Sequence, residues 1–211
     1  MDVRSLPIWR RLQAYPGTCG VIALLSAVLG YQNWKAVPLD AWSVSYVSVV
    51  VEREWWRVGS SVLAHASVLH LAMNLSALWG MRELEGELGT VRYLESSVRV
   101  WVLSEALFLL LQWLRMRWRQ DEQYGQQAAV GYSGVLFGLL TLWSQVAPMG
   151  TFYVEGIAVP ALLLPLVALL ATQILVPQAS LVGHVAGLLA GALLAADWRI
   201  GKALGLQRPW I

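Results

Sequence analysis

The chain is dominated by long apolar stretches that alternate with shorter polar segments. Six stretches, which we number runs one to six, cover approximately residues 17–31, 62–81, 97–114, 127–147, 156–176 and 179–198. A helix needs roughly 20 apolar residues to cross the hydrocarbon core of a bilayer, so each run predicts one membrane-spanning helix. The segment 32–61 mixes Trp and Val with charged residues, which predicts amphipathic helices in the membrane interface.

Composition narrows the class of protein. Of the 211 residues 57% are hydrophobic and 13% are charged, whereas soluble domains carry about 25% charged residues. The net charge of +2 is small and scattered, so no nucleic-acid partner is expected. A single cysteine, Cys19, excludes a disulfide scaffold, and no nucleotide-binding glycine loop indicates a cofactor. We predict an all-α, multi-pass membrane protein whose environment is the lipid bilayer.

The distribution of lysine and arginine predicts an orientation, because cytoplasmic loops carry an excess of both. With the N-terminus in the cytoplasm, that side holds eight such residues and the opposite side holds six. Both termini are therefore expected to be cytoplasmic. The predicted organisation is an N-terminal segment 1–16, a six-helix domain 17–198 and a C-terminal tail 199–211.

All three histidines, His65, His70 and His184, fall inside predicted membrane helices. An ionisable group in hydrocarbon is costly and is by default functional, although one histidine alone could pack by hydrogen bonding across helices. Runs two, four and six point the same way. At a rise of ~1.5 Å per residue, His70, Ser133 and His184 lie roughly 8–12 Å below the same surface.

These residue types suit acyl transfer. Asn74 follows His70 by four residues and shares its helix face. A hydroxyl, two imidazoles and a carboxamide in one layer offer a nucleophile, a base and oxyanion donors. Small residues let helices approach closely, and glycines surround Ser133 and follow His184, namely Gly131, Gly134, Gly138, Gly187 and Gly191.

A catalytic triad and a metal site are the two chemistries that compete with this interpretation. The acids Glu105 and Asp197 are not expected at the depth of Ser133 on a neighbouring even-numbered run, so a Ser-His dyad is predicted rather than a triad. A metal site is not predicted. His65 and His70 would lie about 140° apart around a helix, and no intramembrane cysteine or carboxylate joins them.

Five motifs occur in order along the chain. They are Trp56-Arg57, His65-Ala-Ser-Val-Leu-His70-Leu-Ala-Met-Asn74, Glu85-x3-Gly89, Gly131-Tyr132-Ser133-Gly134 and Gly183-His184-Val185-Ala186-Gly187. Together they resemble the rhomboid family of intramembrane serine proteases, over nearly the whole chain. The resemblance implies a six-transmembrane-helix rhomboid bundle with a partly membrane-embedded first loop.

The resemblance also implies roles for individual residues. Ser133 would be the nucleophile and His184 the general base and then acid, while His70, Asn74 and the Ser133 amide would hold the oxyanion. His65 would line the water-facing mouth. The supporting residues would be Trp56, Gly131 and Phe137, with Arg57 and Glu85 bracing the first loop. Phe137 departs from the tyrosine that the family often has at this position.

Substrates would be transmembrane proteins that enter past run five, which Pro160 and Pro165 would loosen. Six helices and the stretch 129–137 look most like the compact rhomboids of the endoplasmic reticulum, which predicts that membrane as the location. The alternative within the family is a catalytically silent rhomboid-like protein that binds membrane clients, which usually lacks the serine or the histidine. A transporter or channel would need a polar pathway to both faces.

Overall fold

The computed structural model describes residues 13–146, 150–154 and 157–203, and these are mostly helical. Most of the predicted segment 1–16 and the end of the tail 199–211 lie outside them. The helices are α1 Pro16–Lys35, α2 Arg57–Leu63, α3 Val68–Gly80, α4 Glu83–Leu88, α5 Thr90–Arg119, α6 Gln123–Gln126, α7 Ser133–Val146, α8 Leu164–Leu175 and α9 Leu181–Ala203. A two-stranded sheet pairs β1 Thr151–Val154 with β2 Ile157–Pro160.

Run two is not one continuous helix. Its residues divide between α2 and α3, whose axes are bent by 84°. The break is stabilised from both sides. The Gln32 side chain of α1 accepts a hydrogen bond from the His65 amide at 3.2 Å, and the Ser67 hydroxyl caps α3 by accepting from the His70 amide at 3.1 Å. A serine cap satisfies one of the N–H groups that a helix start leaves unpaired.

The first loop, residues 36–56, packs into the helix bundle instead of forming long amphipathic helices. It contains a 3-10 turn, Leu39–Ala41, and a π-helical turn, Val47–Val51. Val44 and Val49 are fully buried against Phe108 of α5 and Ala186 of α9. Val44 also exchanges two backbone hydrogen bonds with Ala129, which ties this loop to the segment that precedes α7.

Glycines bring α7 and α9 into backbone contact. A Cβ added at Gly187 would lie 2.2 Å from the Gly134 carbonyl oxygen, and one at Gly191 would lie 2.1 Å from the Gly138 oxygen. Neither position can hold a larger residue unless the helices separate. Helix α7 also meets α5, where a Cβ at Gly138 would lie 2.2 Å from Val100 Cγ1.

Runs four and five begin differently from the prediction. Residues 127–132 of run four are not part of a long helix, and Ser133 is the first residue of α7. The start of run five is strand β2, and α8 begins only at Leu164. Pro165 therefore lies in the first turn of α8, where no N–H donor is needed, so it does not loosen that helix as expected.

Among the described residues one helix, over Leu181–Arg199, is long and apolar enough to cross a membrane unaided. The bent pair α2 and α3 would add a second span if counted together, and the apolar helix over Ala161–Leu175 is shorter than a full span. The core lies where α1, α3 and α5 surround α7. Its fully buried members include Leu25, Leu78, Val100 and Leu139.

Candidate active site

Ser133 and His184 are hydrogen-bonded although 51 residues separate them. The His184 Nε2 atom lies 3.0 Å from Ser133 Oγ. Ser133 is the first residue of α7, and His184 lies in the first turn of α9. At that turn the Ser180 hydroxyl accepts a hydrogen bond from the Gly183 amide at 3.1 Å. The glycine contacts between α7 and α9 make this approach possible.

The His184 ring is held on one face by Phe137. The ring centroids are 4.6 Å apart and the planes are tilted by 40°. His184 is only 4% exposed, and its Nδ1 atom is buried with no hydrogen-bond partner in the described part of the chain. No carboxylate of the described residues therefore holds this ring directly.

His70 and Asn74 meet the segment in front of Ser133 at a glycine. Gly131 has φ +108°, a conformation that side chains rarely adopt, and an added Cβ would lie 2.7 Å from His70 Cε1. The His70 Nδ1 atom faces the Ala66 amide, which donates to it at 3.4 Å. This contact leaves the proton on Nε2, the nitrogen that lies near Gly131. Asn74 is buried, and its Nδ2 donates to the His70 carbonyl at 3.0 Å.

His65 does not line a water-facing mouth, contrary to expectation. It is 2% exposed, with Nδ1 lying 3.1 Å from the Leu63 carbonyl. His65 precedes α3, so the separation of about 140° from His70 around one continuous helix does not apply. The ring centroids of His65 and His70 lie 5.1 Å apart. Its position indicates a packing role behind His70.

Arg57 braces the first loop, whereas Glu85 does not. The Arg57 guanidinium donates to the Glu54 carboxylate and to the Asp40 and Ser43 carbonyls. The neighbouring Trp56 is exposed. This network holds the first loop against the start of α2.

Glu85 lies instead at the N-terminus of α1. Its carboxylate accepts from the Gly17 and Thr18 amides at 2.8 Å each and from the Thr90 hydroxyl at 2.7 Å. Burial raises the pKa of this carboxyl, but the hydrogen bonds outweigh burial and hold the pKa below its usual value. Glu85 thus joins α1, α4 and α5 far along the chain from the first loop.

Two cavities meet at Ser133 and His184. The first, of about 310 Å³, lies between the first loop, α5 and the start of α9. The second, of about 490 Å³, is an apolar groove between α3 and α8, lined by Met73, Ala77, Ala168 and Thr172 among others. The hydrogen-bonded pair is therefore reachable from two directions.

Glu105 was not expected at the depth of Ser133 on an even-numbered run, and it lies on α5, in run three, where it lines the first cavity. Its neighbour Ser104 is level with Gly134, since a Cβ at Gly134 would lie 3.9 Å from Ser104 Oγ. The sequence marks Glu105 as an acid in an apolar run, but the depth estimate assumed that Ser133 lies well inside a helix. No group of three or more His, Cys, Asp or Glu that could hold a metal occurs in the described ranges.

Comparison with known proteins places these motifs in a family. The Rhomboid domain profile matches residues 52–198. Rhomboid-like protein 15 of Arabidopsis thaliana is 31% identical over 82% of this chain and 43% of its own length. Rhomboid-related protein 4 of Homo sapiens is 32% identical over 74% of this chain and 50% of its own length. Rhomboid-type serine protease 2 of Yarrowia lipolytica is 31% identical over 67% and 46%.

The chain spans about half the length of the curated relatives it matches. No solved structure gives a significant match. Since the domain profile covers well over half of the 211 residues, the resemblance seen in the motifs is confirmed, and the chain belongs to the rhomboid family.

Proposed function

We propose that this protein is an intramembrane serine endopeptidase that hydrolyses peptide bonds in or near transmembrane segments of membrane proteins. The observation that carries the proposal is the 3.0 Å contact between His184 Nε2 and Ser133 Oγ. A serine hydroxyl is a weak nucleophile unless an adjacent base takes its proton. Membership of a family with relatives named as serine proteases adds support.

In the proposed mechanism the Ser133 hydroxyl attacks the scissile carbonyl while His184 Nε2 accepts the hydroxyl proton. The resulting imidazolium then protonates the leaving amine, and water repeats the cycle on the acyl-enzyme. Stacking against Phe137 keeps the His184 ring in position through both proton transfers. No metal or other cofactor takes part in the proposed reaction.

The oxyanion would be held by three donors. The Ser133 amide is at the start of α7, where N–H groups have no partner within the helix. His70 offers its Nε2 proton beside Gly131, and Asn74 offers its amide nitrogen. Donors fixed in advance stabilise the charge that develops in the transition state.

For the membrane setting, we propose that all six apolar runs cross or enter the bilayer, with both termini cytoplasmic, in the endoplasmic reticulum membrane. The domain 17–198 would be the protease. The groove between α3 and α8 would admit the substrate helix, because it opens from the apolar side of the bundle directly onto Ser133 and His184.

The decisive test is labelling of the detergent-solubilised protein with a serine-reactive fluorophosphonate, together with cleavage of a fluorogenic transmembrane substrate. Ser133→Ala and His184→Ala should each lower kcat by as much as roughly 10⁶-fold, because a dyad acts as a unit. Ser144→Ala, a buried serine on the same helix that donates to the Thr141 carbonyl, serves as the matched control. Unlabelled wild-type protein would identify a silent family member instead.

The oxyanion assignment has its own test. Asn74→Ala should lower kcat by roughly 10–1000-fold with little change in KM, since the donor acts on charge present only in the transition state. Steady-state cleavage kinetics separate the two constants. A change in KM alone would reassign Asn74 to substrate positioning.

A further inference from the structure

Glu105 is a carboxylate close to the dyad that has no role in the proposed mechanism. It lies on α5, next to the buried stripe formed by Val100, Ser104 and Phe108. Its Oε2 atom is buried with no hydrogen-bond partner among the described residues. A buried carboxylate oxygen without a partner carries a substantial desolvation cost. A bound ligand that donates a hydrogen bond to it would offset that cost.

The register of three helices places Glu105 in the layer of the catalytic pair. Ser104 of α5, Gly134 of α7 and Gly183 of α9 lie at one level, since a Cβ added at Gly134 would lie 3.9 Å from Ser104 Oγ and 3.5 Å from the Gly183 carbonyl oxygen. Glu105, Ser133 and His184 are the chain neighbours of these three residues. All three line the same 310 Å³ cavity.

The cavity matches a cation in charge and in hydrogen bonding. Glu105 is the single carboxylate among the described residues that line it, and no lysine or arginine does so. Ser61, which also lines the cavity, has a buried Oγ without a partner in the described structure. An unsatisfied carboxylate oxygen, which can only accept, favours a ligand that donates, such as an ammonium or guanidinium group.

The shape favours a cation carried on an apolar stem. The remaining wall is largely apolar and includes Phe108, Val130 and Val176. Lysine and arginine side chains pack their methylene stems against such surfaces while the charged end reaches a polar partner. A free metal ion fits less well, since the described chain holds no group of three or more possible metal ligands.

We infer that this cavity is a specificity subsite for a lysine or arginine of the substrate, at or beside the scissile bond, with Glu105 as the residue that selects it. The inference rests on the proposed protease function. Both the groove between α3 and α8 and this cavity reach Ser133 and His184. A peptide bound at Ser133 from the groove would therefore have the cavity beside its scissile bond, within reach of a neighbouring side chain.

The test is a set of transmembrane substrates in which each residue from three before to three after the cut is replaced by lysine or, as a matched apolar control, by methionine. In the wild-type protein, lysine at one position should raise kcat/KM roughly 10-fold over methionine, as expected for a close charge pair. Glu105→Gln should abolish that preference, so that the lysine and methionine substrates are cleaved with equal kcat/KM. Glu105→Asp should keep the preference in part.

Glu95→Gln provides the control on the same helix, because Glu95 is exposed and does not line the cavity. The inference fails if no position favours lysine, if Glu105→Gln retains the preference, or if it slows both series equally. An active enzyme without a lysine preference would overturn the subsite and leave the protease function standing. Should cleavage be absent, tighter binding of lysine peptides than methionine peptides to the wild-type protein, lost in Glu105→Gln, would still support the subsite.

Discussion

The contact between α7 and α9 and the groove between α3 and α8 border the same two residues, yet they are built in opposite ways. Between α7 and α9, backbone meets backbone with no room for a methyl group at Gly187 or Gly191. Along α8, Pro165 is the one buried residue of twelve, and large apolar side chains such as Leu166 and Leu170 are exposed.

For the proposed intramembrane protease, the difference separates two requirements. Proton transfer between Ser133 and His184 needs fixed geometry, and close-packed backbones supply it because they cannot shift independently. Admission of a substrate helix needs a side that opens at little cost, and a helix with few buried contacts supplies that. Both properties meet at His184, which belongs to α9 and also lines the groove.

The largest effect that tests this comparison should come from Gly187→Ala. One added carbon would lie 2.2 Å from the Gly134 oxygen, so α7 and α9 must separate and the dyad must lengthen. We expect cleavage and fluorophosphonate labelling to fall by roughly 100-fold, with a lower Tm in detergent. Gly30→Ala, where nothing lies within 4 Å, should leave activity unchanged and slightly raise the Tm. Full labelling of Gly187→Ala would show that the interface is not rigid.

An intermediate effect is expected from Ala168→Leu, which adds three carbons to the groove wall on α8. Cleavage of a transmembrane substrate should fall by about fivefold, which is about 1 kcal/mol, because the groove is narrowed. Labelling by a small fluorophosphonate, which needs no helix-sized opening, should be unchanged. Ala171→Leu, an exposed position of α8 outside the groove, is the matched control. Equal losses in both variants would move substrate entry elsewhere.

The smallest effect should come from Phe137→Tyr. The ring stays 4.6 Å from that of His184, so the stacking that positions the base is retained and only a hydroxyl is added. We expect kcat to change by less than about threefold, or about 0.6 kcal/mol. Phe137→Leu, which removes the aromatic face, should cost more. A large effect of the tyrosine, seen in steady-state kinetics, would mean that the hydroxyl itself enters the reaction.

Local pattern predicted the helices better than their ends. Runs one, three and six correspond to α1, α5 and α9, since a sustained apolar stretch has few alternatives to a helix in a membrane. For runs two, four and five, the predicted N-terminal ends of the helices were wrong. The break between α2 and α3 depends on Gln32, which is 33 residues from the His65 amide that it binds. No window of sequence around run two contains that partner.

The same limit applies to the site. The order and spacing of the motifs were enough to single out Ser133 and His184, which the fold brings to 3.0 Å, and the family assignment agrees with the resemblance that those motifs carry. The sequence indicated no acid at the depth of Ser133 on an even-numbered run, and Glu105 lies on run three, but the packing of α5 against α7 brings it to the cavity beside Ser133. Glu85 was expected to brace the first loop, and this was wrong because its partners Gly17 and Thr18 are 68 and 67 residues away.

Composition, periodicity and spacing are local properties of the sequence, and they established that the chain is apolar and helical, that its three histidines lie in runs two and six with Ser133 in run four, and that it carries rhomboid motifs. The tertiary structure alone decided which groups meet. Hydrogen bonds and van der Waals contacts act over a few ångströms, and whether Glu105 faces the dyad or His65 faces water depends on how separate helices pack, which no single segment encodes.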